Sequence, residues 1–291
     1  MTEITIKEGF MYGAWRTPEN LWSDMKTSIH NDNTAKKVGM RGGTIPGTIH
    51  LSLFAPLLLE IFGQRWFEKG SLSMYYTFAT IHKEKVRGVV KMPLEESNDV
   101  QVETRVEMPS GQIVATGTAA IGEPKELSYL QNIELKNSKP EDLRILAGMK
   151  IGDDLNTKDV LISQEDANEG LKTITDHLDY YKGNSPWGNS ILSPTAIFWT
   201  MSLNSKILDI ARTQGVPFYG ATEIRNINGP VMVGVPYEAT GKVICAGVSR
   251  KTEYYWYDAI LKEKEEGKPV ASLRQMNRYM KAGSPLYSEA V

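Results

Sequence analysis

The residues best suited to acid–base chemistry stand near position 30. His30 is followed by Asn31 and Asp32, whose polar side chains are able to orient an imidazole and raise its basicity. A histidine held in this way is an effective general base near neutral pH. The alternative is a loop histidine with purely local hydrogen bonds, and the pattern alone leaves both interpretations open.

A second cluster mixes polar and aromatic residues. Asp176 and His177 precede Tyr181, and Trp187 follows in a turn-rich segment. Such a mixture is typical of a ligand cleft, so we predict that these residues bind substrate. Aromatic residues at this density also pack in protein cores, and that interpretation stays open.

The other histidines and the single cysteine suggest less chemistry. His50 lies in an apolar run, where a core histidine bonded to a backbone carbonyl is expected. His82 stands in a charged turn with Lys83 and Lys85, basic residues that either are solvated or contact the phosphates of coenzyme A. Cys245 is the only cysteine. An intrachain disulfide is therefore excluded, and we predict no metal site.

Two copies of one structural plan must position these residues. In the first copy, an apolar run from Ile49 to Phe62 predicts a buried helix, although Pro56 favours a kink or a later start. Four β-like segments follow, and Val100, Val102 and Val106 belong to the clearest alternation. These segments cover residues 72–80, 85–92, 99–107 and 112–121.

The same plan recurs in the second half. Ser163 and Asp166 indicate a capped helix start, and Pro194 opens a second apolar helix that ends near Ile210. Its β-like segments cover residues 221–227, 237–246, 252–261 and 269–279. The charged stretch between the copies lacks periodicity, so we predict units at 1–123 and 159–291 joined by a connection at 124–158. An unrelated α+β protein with the same elements is the alternative.

The overall composition favours a small-molecule ligand. The 291 residues carry a formal net charge of -2, so no field of one sign suggests nucleic acid or an anionic membrane as a partner. The N-terminus lacks the apolar core of a signal peptide, and no stretch has the length and apolarity of a transmembrane helix. We therefore expect a cytoplasmic protein.

The stretch from Ser28 to Asp32, followed by Ala35, Gly39 and the RGGTIPG segment at 41–47, resembles the signature region of MaoC-like enzymes, the superfamily of the R-specific enoyl-CoA hydratases. With the repeated plan, the resemblance covers most of the chain. It implies an α+β double hot-dog fold, in which two tandem units, each a helix and an antiparallel meander, form one continuous sheet. A homodimer of such chains is a further expectation.

The resemblance also implies an activity. It indicates a hydratase or dehydratase, a hydro-lyase, that acts on a small or medium acyl substrate carried as a coenzyme A thioester, with no cofactor. His30 is then the base, and Asp32 or Asp24 assists it. The amides of Gly47 and Thr48, at the start of the first helix, are the implied donors to the thioester oxygen.

The chain departs from the family pattern in both copies. The acid expected five residues before the histidine is Met25, and Asp24 points about a hundred degrees away if this segment is helical. In the second copy, Asp176 holds the acidic position but Tyr181 replaces the histidine. Neither copy has the full dyad, so a non-catalytic hot-dog ligand-binding protein is an alternative, and an acyl-CoA thioesterase is another.

Overall fold

A single antiparallel sheet of 11 strands runs through both halves of the chain. The structure is a computed structural model that describes residues 3–95 and 97–287. The strands are β1 (Thr5–Lys7), β2 (Phe10–Tyr12), β3 (Gly70–Tyr76), β4 (Arg87–Lys91), β5 (Val100–Glu107), β6 (Ile113–Ile121), β7 (Lys158–Val160), β8 (Pro217–Asn226), β9 (Tyr237–Val248), β10 (Thr252–Glu263) and β11 (Pro269–Met280). Their order across the sheet is β1-β2-β4-β5-β6-β3-β8-β11-β10-β9-β7.

The two halves join at the β3–β8 pair. Leu72 lies opposite Ile224, and Met74 lies opposite Thr222. The predicted continuous sheet is therefore confirmed. The predicted strand order needs one correction, because the first strand of each copy pairs with the last strand and not with its successor: β3 lies beside β6, and β8 lies beside β11. This placement lets the two units share what would otherwise be exposed sheet edges.

Most of the helices pack into the main core, on one face of the sheet. They are α1 (Asp32–Lys37), α2 (Ala55–Phe62), α3 (Trp66–Lys69), α4 (Gln164–Leu171), α5 (Pro194–Thr200) and α6 (Lys206–Gln214), with 3-10 helices at Gly47–Leu53, Pro140–Asp142, Asp179–Lys182 and Pro285–Tyr287. The α-helical part of the first apolar run begins at Ala55, with Pro56 in its first turn, so the later start is confirmed.

The single helix predicted from Pro194 to Ile210 is wrong. α5 ends at Thr200, and α6 begins after Ser205, whose side chain accepts a hydrogen bond from the amide of Leu208. Because Ser205 satisfies a free amide at a new helix start, the chain breaks between the two helices. The capped start at Ser163 is confirmed, with reciprocal hydrogen bonds between Ser163 and Asp166.

The first part of the connection between the copies covers the opposite face of the sheet. Along β10, Tyr255 and Tyr257 enter the main core, whereas Trp256 belongs to a separate cluster that includes Leu130 and Cys245. Successive residues of a strand face opposite sides, so Leu130 and its neighbours pack on the side away from the helices. The stretch predicted at 124–158 is thus packed against the protein: its first part covers this face, whereas Leu143, Leu146 and Met149 join the main core. The exact unit boundaries stay predictions.

Candidate active site

A cavity of about 600 Å³ lies at the start of the 3-10 helix Gly47–Leu53 and is walled by both halves of the chain. The first half contributes this helix, the segment before α1 and the end of β3, and the second half contributes α5, α6 and the sheet from β8 to β11. Its polar lining includes Ser28, His30, Thr44, His50, Tyr76, Thr80, Ser202, Arg212, Tyr219, Tyr255, Asn277 and Tyr279. The volume suits a small organic ligand.

His30 lines this cavity and has the form of a general base. Its Nδ1 lies 2.7 Å from the carbonyl oxygen of Thr44. A carbonyl only accepts, so in the neutral ring Nδ1 carries the proton and Nε2 carries the lone pair. Burial lowers the pKa of His30 below its ordinary value of 6.5, and this effect exceeds the opposing one of the Thr44 hydrogen bond. The ring is therefore neutral, and basic at Nε2, near neutral pH.

The two aspartates predicted to assist His30 do not line the cavity. Asp32 is exposed, and its Oδ1 accepts a hydrogen bond of 2.6 Å from the amide of Gly43. A Cβ at Gly43 would lie 2.3 Å from the carbonyl oxygen of His30, so the close approach requires glycine. Asp32 thus fastens the loop beside His30. Asp24 is exposed, and Met25 is the neighbour that lines the cavity.

The start of the 3-10 helix presents backbone amides beside the cavity. Gly47 lines it, and a Cβ at this position would lie 3.0 Å from the ring of Tyr76. Ile49 already donates its amide to Pro46, whereas the first amides of a helix, here those of Gly47 and Thr48, have no intrahelical acceptor. Thr48 is fully buried, and its carbonyl accepts from the hydroxyl of Thr195 at 2.9 Å.

His50 faces the cavity in a way that the sequence did not indicate. It is buried, and its Nε2 bonds to the hydroxyl of Thr80 at 3.0 Å and not to a backbone carbonyl. Its Nδ1 has no hydrogen-bond partner in the part of the chain that the structure describes. Burial lowers the pKa of His50 to about 4, so the ring is neutral. A buried nitrogen without a partner is costly, so this ring is a polar group in the cavity wall whose hydrogen bonding is incomplete.

The second predicted cluster lies away from the cavity, and none of its members is among the lining residues. Asp176 is buried and accepts hydrogen bonds of 2.9 and 2.7 Å from Arg16. Tyr181 is buried, and His177 is exposed. The indole of Trp187 donates to Glu68 at 2.9 Å. The substrate-binding role of these residues stays a prediction that the geometry does not favour.

The sequence analysis did not predict the residues that form the second-half wall of the cavity. Arg212, Tyr219, Tyr255, Asn277 and Tyr279 meet there from α6, β8, β10 and β11. The β-like segment predicted at 252–261 includes Tyr255. The pattern indicated a strand, but it did not indicate which face of that strand meets a cavity.

No group of three or more His, Cys, Asp and Glu side chains is arranged to bind a metal ion within residues 3–95 and 97–287. The same residues contain no helix with the length and apolar character needed to cross a bilayer.

Comparisons with known proteins agree on the fold. No protein-family model matches the chain, and no curated protein matches it in sequence. Among solved structures, a Chloroflexus aurantiacus J-10-fl protein assigned as a MaoC domain dehydratase has 10% sequence identity and a TM-score of 0.59, over 96% of this chain and 95% of that one. A conserved hypothetical protein of Mycobacterium tuberculosis with a double hot-dog fold has 8% identity and a TM-score of 0.57, over 96% of each chain.

A third similar structure is a MaoC-like dehydratase, with 11% identity and a TM-score of 0.50, over 91% of this chain and 96% of that one. At such identities the likeness concerns the fold, and at that level it confirms the resemblance seen in the sequence. The chain is a double hot-dog protein with the architecture of the MaoC-like dehydratases.

Proposed function

We propose that this protein hydrates 2-enoyl thioesters, or dehydrates the corresponding 3-hydroxyacyl thioesters, with His30 as the general base. One observation carries the proposal: His30 stands in the wall of a ligand-sized cavity with Nδ1 bonded to Thr44 and a lowered pKa. This arrangement supplies a neutral imidazole whose free nitrogen is able to take a proton from water.

The start of the 3-10 helix supplies the second requirement of the reaction. When water adds to C3 of an enoyl thioester, negative charge develops on the thioester oxygen as an enolate. The amides of Gly47 and Thr48 are the donors we assign to that oxygen, because amides at a helix start are free and oriented. Gly47 lines the cavity directly, whereas the buried Thr48 would contribute through its backbone alone.

A single base completes the proton balance. In the described part of the chain, no Asp or Glu side chain lines the cavity. His30 therefore takes a proton from water as the C3–O bond forms, and the resulting imidazolium returns that proton to C2 as the enolate collapses. Dehydration runs the same steps in reverse. Asp32 acts only on the loop, through its hydrogen bond to Gly43.

The test is turnover of a panel of enoyl-CoA and 3-hydroxyacyl-CoA thioesters, followed through the absorbance of the conjugated thioester. We expect His30→Ala to lower kcat/KM by about 10²- to 10⁴-fold, the usual contribution of a general base. The matched control is His82→Ala, because His82 is an exposed histidine outside the cavity lining. Equal turnover by the His30 variant and the wild type would remove His30 from the mechanism.

A non-catalytic binding protein is the second candidate, and one observation favours it. Met25 stands in the cavity wall at the position where the family pattern has its acid. Native mass spectrometry of the protein with the same thioesters separates the two candidates, since a binding protein retains the intact ligand. Release of free thiol in the same panel would instead indicate thioester hydrolysis, with His30 activating water against the carbonyl carbon.

A further inference from the structure

The second-half wall of the cavity carries a group of polar side chains beside the apolar Trp199, Leu203 and Phe218, and a site that holds only a hydrocarbon chain would not need this polar group. Tyr219, Tyr255 and Tyr279 make up the group together with Asn277 and Arg212. A methyl-terminated acyl chain pressed against this wall would strip water from hydroxyl and guanidinium groups without replacing their hydrogen bonds. Such a loss is costly for a neutral polar group and more so for a charged one.

Tyr255 lines the cavity, and within residues 3–95 and 97–287 its hydroxyl proton has no acceptor. The side-chain amide of Asn277 donates to the Tyr255 oxygen at 2.6 Å, and the amide oxygen of Asn277 accepts from Gln275 at 3.1 Å. With an N–H group fixed on its oxygen, Tyr255 has its own proton left to give. Burial raises the pKa of Tyr255 well above 10, so the phenol keeps that proton.

Arg212 gives this wall a positive charge. Burial raises the pKa values of Tyr219 and Tyr279, and the nearby charge of Arg212 partly lowers them again. Its one side-chain partner among the described residues is Asp209, at 3.2 Å, and the two side chains are 48% and 61% exposed. A surface contact of this kind satisfies one of five N–H donors and neutralises little of the charge.

We propose that the acyl chain of the ligand ends in a carboxylate, which Arg212 and the hydroxyl of Tyr255 bind at the second-half wall while the thioester lies beside the amide of Gly47. The inference rests on the proposed function, because it takes the ligand to be an acyl thioester. The charge of the lining indicates the class of ligand. The described lining contains an arginine and phenol donors but no carboxylate, so an anionic group should bind there more tightly than a cation or an alkyl terminus.

The test compares matched saturated thioesters, which bind but do not undergo hydration. Glutaryl-CoA and valeryl-CoA differ only in a terminal carboxylate against a methyl group, and longer pairs of the same series extend the comparison. We expect calorimetry to show that the wild type binds the carboxylated member about ten- to a hundredfold more tightly. Arg212→Met should abolish that preference, and Arg212→Lys should retain part of it because the charge remains.

Lys206→Met is the control, since it removes a positive charge from the same helix outside the cavity lining. It should leave the preference unchanged. The N-acetylcysteamine thioesters of the same acids form the second arm, because they lack the phosphates of coenzyme A. If Arg212→Met weakens both CoA ligands equally and neither N-acetylcysteamine ligand, then Arg212 contacts phosphate and the inference is wrong.

The failure of this inference differs from the failure of the proposed function. A wild type that hydrates enoyl thioesters but binds both members of each pair equally overturns the carboxylate alone. If the wild type prefers the carboxylated thioester through Arg212 but turns over no substrate, the carboxylate inference is supported and the hydratase proposal is refuted. Absence of binding to every thioester refutes both.

Discussion

The helix starts at Gly47 and Pro194 hold corresponding places in the two copies, on either side of the β3–β8 pair. The first opens into a cavity of about 600 Å³, whereas the second borders a gap of about 10 Å³. Aromatic side chains close the second helix start: the ring of Phe67 lies 5.9 Å from that of Tyr180 and 6.0 Å from that of Trp187, measured between centroids.

The two copies also differ at the positions that the sequence analysis compared with an acid–histidine dyad. In the first copy, His30 and Met25 both line the cavity. The second keeps Asp176, but Arg16 occupies its carboxylate, and Tyr181 is buried in the core. A buried carboxylate paired in this way acts as a structural link and not as a free base. In this arrangement the second copy contributes wall residues to the cavity that contains His30.

Replacing a phenylalanine by alanine should destabilise the protein more beside the second helix start, at Pro194, than beside the first, at Gly47. Phe67→Ala removes a ring that is 2% exposed from the closed helix start, and we expect the free energy of unfolding to fall by about 3–5 kcal/mol. Phe78 lines the open cavity, so Phe78→Ala creates no new enclosed void and should cost about 1–2 kcal/mol. Urea unfolding measures both. Equal losses would mean that the second helix start is not the tightly packed one.

The open helix start should also make stability depend on pH. His50 has a pKa of about 4 in the fold and 6.5 when unfolded, so between these values the unfolded chain binds more protons. This contribution to stability is fully present above pH 6.5, and about 3 kcal/mol of it is lost as the pH falls towards 4. Urea unfolding at a series of pH values should show this decline.

His50→Gln is the variant that tests this assignment, because glutamine is polar but does not titrate. Its stability should change less between neutral and acidic pH than that of the wild type, whatever its absolute stability. His82→Gln, at an exposed position, is the control and should keep the wild-type slope. A His50 variant with the same slope as the wild type would place the pH dependence elsewhere.

Local patterns predicted the sheet well. Alternation along the β5 segment and turn residues between strands located most strand bounds within a few residues, because both are properties of neighbouring residues. The pairing partners needed more than alternation. It does not reveal that β3 lies beside β6 and β8 at once, since that order follows from how the two units share edges.

The outcome for the predicted site residues was less predictable, because their contacts join distant parts of the chain. Asp176 is bonded to Arg16 across 160 positions, and nothing near Asp176 in the sequence indicates that partner. Arg212 reaches the cavity because the chain breaks before Lys206, a break that the apolar run hid. His30 was found because the family resemblance marks the segment that precedes the first helix start.

The smallest expected effect on stability concerns the glycine at the open helix start. A Cβ at Gly47 would lie 3.0 Å from the ring of Tyr76, so Gly47→Ala must push that ring by a few tenths of an ångström into the cavity. The loss of stability should be within about 1 kcal/mol, because alanine also restricts the unfolded chain. Calorimetric binding of a saturated acyl-CoA should weaken, because Tyr76 and Gly47 both line the cavity.

Gly170→Ala is the matched control for this change. Gly170 lies in α4, and a Cβ added there would meet no atom within 4 Å, so alanine should raise stability by about 0.5–1 kcal/mol and leave ligand binding unaltered. The two variants remove the same conformational freedom and differ in what the new methyl group meets. If Gly47→Ala matched Gly170→Ala in both stability and binding, the first helix start would have space for a side chain, and the close approach of Gly47 to Tyr76 would not shape the ligand site.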